Sequence, residues 1–90
     1  MLEFSVKVVN QLGLHARAAA QLVHLANRYK SRILIKREDT NSFADAKSIL
    51  SILTLAASLG TTLFITVDGV DAEAALEAVR GLFLSGFGEN

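Results

Sequence analysis

Few side chains in this sequence are equipped for chemistry. There are two histidines, His15 and His24, and no cysteine. The lack of cysteine removes thiolate nucleophiles, thiolate zinc sites and disulfides together. On one continuous helix the two histidines, nine residues apart, point about 180° from each other. They cannot share a metal, and no nearby carboxylate set completes a zinc site. No metal and no cofactor is expected.

His15 follows Gly13-Leu14 and immediately precedes a helical pattern. A helix start exposes unpaired amides and a partial positive charge. The amides of Ala16, Arg17 and Ala18 would lie close to the His15 ring. Their small neighbours let an anion approach the backbone, and Arg17 adds a fixed charge with a forked donor geometry suited to phosphate. An imidazole at the positive end of a helix is biased toward its neutral, nucleophilic form. A phosphoryl group on that ring would sit in a helix-end anion site. The alternative is an ordinary surface-loop histidine. No second catalytic group is placed beside His15, which counts against an autonomous acid–base enzyme.

Ser48 opens the second helical segment. Its default role is an N-cap. A hydroxyl at a helix start is also a site where added negative charge is tolerated. Beyond it, Ile49, Leu50 and Leu53 belong to a helix that is apolar on more than one face. One stripe suffices to cover a sheet. The excess is either an exposed docking patch or the mark of a deeply buried helix. His24 is expected on the solvent side of the first helix, the run Lys36–Asp39 at a solvated hairpin tip, and Asp68-Gly69 in a simple turn.

These residues hang on a regular alternation of elements. Leu2, Phe4, Val6 and Val8 alternate with polar residues in a first strand. Ala19, Leu22, Val23 and Ala26 give a helix over 16–29. Ile33 and Ile35 mark a second strand, and 42–44 a short third strand at an edge. Residues 45–59 read as the second helix, stopped by Gly60. Leu63, Ile65 and Val67 mark a fourth strand, and 71–84 a third helix. Gly86 and Gly88 predict a fraying tail. The order β-α-β-β-α-β-α, with strands apolar on one side only, predicts an α+β fold: an antiparallel sheet with helices on one face.

Ninety residues, 51% of them hydrophobic, suit one domain, 1–90, with one modest core. Nine basic residues balance nine acidic ones. That counts against nucleic acid and anionic membrane as partners. The first residues lack the layout of a secretory signal, and the longest apolar stretch is too short to span a bilayer. A cytoplasmic protein without membrane insertion is expected.

Gly13-Leu14-His15-Ala16-Arg17, followed by Ala19-Ala20-Gln21-Leu22-Val23, resembles the active-site segment of the HPr family. These are the histidine-containing phosphocarriers of the bacterial phosphoenolpyruvate-dependent phosphotransferase system. Ala46-Lys47-Ser48-Ile49-Leu50 is similar to the family's regulatory serine segment, and Ser85-Gly86-Phe87-Gly88-Glu89 to its tail. The resemblance covers the whole chain. It implies an open-faced β-sandwich of four antiparallel strands with three helices on one face, acting as a monomer. His15 would take a phosphoryl group on Nδ1 from phospho-enzyme I and pass it to an enzyme II A component, with Arg17 neutralising the phosphate. Such a protein is a covalent carrier, not an enzyme with its own substrate. Ser48 would match the serine phosphorylated by HPr kinase/phosphorylase in bacteria that have it. Ile49, Leu50 and Leu53 would dock the partners. The chain departs from the family in carrying Ala18 for a usual proline, His24 and Asn27 at positions often basic, and Ser51 and Ala56 for common glycines. The rival reading is a divergent regulatory module of the same fold, nitrogen-type or controlled at Ser48, in which sugar-linked transfer is minor.

Overall fold

The computed structural model describes residues 1–89; Asn90, the last residue of the expected 1–90 unit, lies outside the described residues. Four strands, β1 (Leu2–Lys7), β2 (Arg32–Arg37), β3 (Phe43–Asp45) and β4 (Thr62–Asp68), form one sheet in the order β1-β4-β2-β3. Every pairing is antiparallel. Three helices, α1 (Ala16–Ala26), α2 (Ile49–Thr54) and α3 (Ala72–Leu84), alternate with the strands along the chain. The expected open sheet with three helices is what forms.

The register explains the layering. Ile65 lies opposite Phe4 on one side and Ile35 on the other, and Ile35 lies opposite Ala44. Residues in one row across a sheet share a face. Val6, Ile33, Ile35, Ala44, Leu63, Ile65 and Val67 are accordingly buried. Ala18, Ala19, Leu22 and Ala26 of α1 and Ala75, Leu76, Val79 and Phe83 of α3 close over them. Leu22 and Phe83 are the largest buried side chains that α1 and α3 bring to this cluster. No helix among the described residues is long and apolar enough to cross a membrane.

Several boundaries differ from the sequence expectation. Helix α1 ends at Ala26, not 29, because Arg28 and Tyr29 turn their amides to Leu25 and Ala26 in tighter bonds. Helix α2 covers six residues rather than 45–59. Its front is lost to the sheet: Asp45 belongs to β3, and the Ala46 amide bonds to the Ile33 carbonyl. Its back is lost at Ala56, which takes a left-handed conformation with φ 50°. Arg37 holds that end, donating from Nη1 to the carbonyls of Leu55 (2.8 Å) and Ala56 (3.2 Å). The run Lys36–Asp39 is therefore not simply a solvated tip: Lys36 and Arg37 extend β2, and the Arg37 guanidinium is largely covered. Asp71 precedes α3 without capping it. Its carboxylate instead accepts from the amides of Lys30 and Ser31 (both 2.9 Å) and from the Ser31 hydroxyl (2.5 Å).

From Gly86 to Glu89 the chain folds into a turn where the sequence predicts a fraying tail. Gly86, Phe87 and Gly88 all have positive φ, at 63°, 57° and 73°, and form one left-handed turn closed by bonds from Gly88 N to Ser85 O and Glu89 N to Gly86 O. Such a turn costs a non-glycine residue about 1–2 kcal/mol. Burial of the Phe87 ring, edge-on to Phe83, offsets it.

Candidate functional site

The loop from Asn10 to Leu14 delivers His15 to the start of α1. Gly13 turns it with φ 67°. A Cβ there would run into the Ala57 carbonyl oxygen and lie 2.9 Å from Ser58 Cα. Leu14 then bonds its amide to the Ala57 carbonyl at 2.9 Å. The loop is thus seated against the segment after α2, and His15 follows in extended conformation as the N-cap.

His15 caps the helix with its ring. Nδ1 accepts from the Arg17 amide at 3.3 Å. A ring nitrogen that accepts an N–H carries no proton itself. The proton therefore belongs on Nε2, and Nε2 meets a carboxylate oxygen, Glu89 Oε2, in a short contact. The two contacts agree on one tautomer: Nε2–H toward Glu89, with the lone pair of Nδ1 at the positive end of α1.

Glu89 is itself held. Asn10, fully buried, donates from Nδ2 to Glu89 Oε1 at 3.1 Å and to the Gly13 carbonyl at 2.8 Å. The Gln21 amide donates to the Phe87 carbonyl at 3.3 Å and ties the tail to α1. The hydrogen bond from His15, then that from Asn10, hold the Glu89 carboxyl below its ordinary range; the nearby charge of Arg17 acts in the same direction, against desolvation. The ring and the carboxylate are mostly covered, with side-chain exposures of 24% and 12%.

Arg17 is exposed, and among the described residues its side chain makes no ion pair. It lines a cleft of about 610 Å³ with Gln11, Leu12, Gln21, Phe87 and Glu89. Ala16 is exposed and Ala18 fully buried, so only the first leaves its side chain toward solvent. The Arg17 amide is occupied by His15 Nδ1 in this state. His24 lies exposed on α1, away from these contacts.

Ser48 is the N-cap of α2, its hydroxyl accepting from the Ser51 amide at 3.3 Å. Ser51 accepts with its own hydroxyl from the Asp45 amide at 2.9 Å and so links α2 to β3. Ile49, Leu50 and Leu53 are exposed at 39%, 74% and 36%, while Ile52 and Leu55 carry the packing. Leu12, in the loop beside the cleft, is another exposed leucine.

Asn10 and Glu89 are absent from the site expected from sequence. Neither belongs to the His15 motif, and only the fold brings them to it. One signal was available: a glutamate behind Gly-Phe-Gly, where two glycines bracket one aromatic anchor.

The family model described as "PTS HPr component phosphorylation site" matches residues 2–85. The phosphocarrier protein HPr of Cupriavidus necator is 39% identical over 89 residues, covering 99% of this chain and 98% of that protein. The phosphocarrier protein NPr of Shewanella violacea is 40% identical, covering 98% of this chain and 94% of that one. The crystal structure of HPr-C-His from Thermoanaerobacter tengcongensis superposes with a TM-score of 0.92 at 38% identity, covering 100% of this chain and 99% of that one. The chain thus belongs to the HPr family, the phosphocarriers of the phosphotransferase system.

Proposed function

We propose that this chain accepts a phosphoryl group on Nδ1 of His15 from phospho-enzyme I in the cytoplasm and passes it to an enzyme II A component. One observation carries this reading: His15 Nδ1 accepts from the Arg17 amide at the start of α1 while Nε2 meets the Glu89 carboxylate, which assigns the lone pair to Nδ1. In the forward step the lone pair forms the N–P bond. The bond from phosphorus to the donor breaks, and its electron pair stays with the donor. The His15 ring becomes cationic with its proton still on Nε2, facing the Glu89 carboxylate. No proton has to move on His15. Once Nδ1 is bonded to phosphorus, the Arg17 amide loses its acceptor there and can turn to a phosphate oxygen. The amides of Ala16 and Ala18 share the same helix end, and Ala18 keeps an N–H that a proline would lack. The Arg17 guanidinium neutralises the phosphate. In the onward step the N–P bond breaks and its pair returns to Nδ1.

Ile49, Leu50 and Leu53 form an apolar docking surface for these partners. Ser48 is the regulatory site within it, addressed by HPr kinase/phosphorylase where that enzyme exists. A phosphate adds about −1.5 to −2 charges. At the start of α2 it would leave the helix intact, but it would stand beside Ile49 and Leu50 and oppose an apolar partner. The likeness to a phosphocarrier named NPr, at 40% identity, keeps open a second reading, a regulatory module of the same fold in which sugar-linked transfer is minor.

Incubation with phosphoenolpyruvate, magnesium and enzyme I tests the carrier role. Intact mass is expected to rise by one phosphoryl group in the wild type and in His24→Ala, and to stay unchanged in His15→Ala. Full labelling of His15→Ala would refute it.

A further inference from the structure

Asn10 is a fully buried polar residue whose side-chain bonds divide between two tasks. One amide hydrogen goes to Gly13, three residues on, and locks the loop; the other goes to Glu89, 79 residues away. A lock for the loop alone needs only the first. The second is maintained although the Asn10 Oδ1 is buried with no hydrogen-bond partner among the described residues, an arrangement that costs stability. At the far end, Glu89 uses one carboxylate oxygen for Asn10 and the other for His15 Nε2. A glutamate side chain has three free torsions, and the left-handed turn at Phe87 fixes only its backbone. With Asn10 on one oxygen, the other is aimed at the ring.

We propose that Asn10 is a positioning residue for phosphoryl transfer: through Glu89 it keeps the His15 proton on Nε2 and so leaves Nδ1 as the nucleophile. This rests on the reading of His15 as the phosphoryl acceptor. Asn10 touches neither the ring nor the phosphate. Its influence passes through a two-bond relay from buried amide to carboxylate to imidazole, of the kind that orients a histidine from its far side.

The decisive readout is the tautomer of His15 in the unphosphorylated protein, read from the imidazole nitrogens by long-range proton–nitrogen NMR. A purely structural role for Asn10 would not move it in a folded variant. The wild type is expected to show the Nε2–H form at His15. Asn10→Ala is expected to mix the tautomers and slow transfer from phospho-enzyme I about tenfold, the scale of partners that orient a histidine. Asn10→Asp keeps the side-chain shape and places an oxygen against Glu89, so it is expected to do the same and guards against misfolding of the alanine variant. Glu89→Ala, altered only in the tail, is expected to lose the Nε2–H preference. In that background Asn10→Ala is expected to add nothing, since residues acting in one relay are not additive. Wild-type tautomer in both Asn10 variants, or fully additive losses with Glu89→Ala, would overturn this proposal while His15 still labels. Label on a residue other than His15 would overturn the carrier reading and this proposal with it.

Discussion

The ring of Phe87 meets that of Phe83 edge to face, with centroids 5.0 Å apart and planes at 73°. Phe83 is the last large core residue of α3, and Phe87 is the one side chain between two positive-φ glycines. This contact fixes the tail to the core and so determines where Glu89 stands. Phe87→Ala is expected to cost about 3 kcal/mol, the lower end for an aromatic core truncation, and to release Glu89 from His15. Chemical denaturation measures the first effect, and the His15 imidazole signals report the second.

Ala56 holds a left-handed conformation at φ 50° behind α2. The strain of that region for an L-residue exceeds the extra unfolded-state freedom of glycine. Ala56→Gly is expected to raise stability by about 0.5–1 kcal/mol, a few degrees in melting temperature for a domain of this size. An unchanged or lower melting temperature would contradict the strain argument.

Glu89 is held below the ordinary glutamate range, first by its bond from His15 and then by that from Asn10. A carboxyl with a depressed folded-state pKa takes up its proton more readily in the unfolded chain. Its stabilising contribution is therefore complete above the ordinary value of 4.5 and lost as pH falls through the lowered folded value. Comparing wild type with Glu89→Gln by thermal melts between pH 7 and pH 3 should show a stability gap that closes on acidification. A gap that is constant across this range would contradict the assignment.

On α2, exposure separates two kinds of leucine-sized residue. Leu50, at 74% exposure, is expected to weaken binding to enzyme I when cut to alanine and to leave the melting temperature nearly unchanged. Ile52, fully buried, is expected to cost about 2–5 kcal/mol on the same change. Calorimetric titration with enzyme I and denaturant melts of both variants check this. A core-sized stability loss for Leu50→Ala would contradict the docking assignment.

Where periodicity is local, the sequence was readable. Leu63, Ile65 and Val67 alternate because β4 lies in the middle of the sheet with one face on the core. The change of period after Gly13 marks the start of α1, since capping by His15 acts within two residues. Distant contacts left no such mark. Helix α2 looks two and a half times as long as it is, because its leucines fit a helix while Arg37, from β2, fixes the carbonyls that end it. Gly86 and Gly88 look like flexibility, because nothing local shows that Phe87 is buried against α3. Asn10 and Glu89 meet only after β1 and the tail converge on the same end of the molecule.

The central claim is that Nδ1 of His15 is the nucleophile and that Nε2 keeps its proton beside Glu89. Phosphorus–nitrogen coupling in the enzyme I-phosphorylated, nitrogen-15-labelled protein tests it directly. The account predicts coupling to Nδ1 of His15, with a proton still on Nε2. Phosphorus bonded to Nε2, or to either nitrogen of His24, would contradict it.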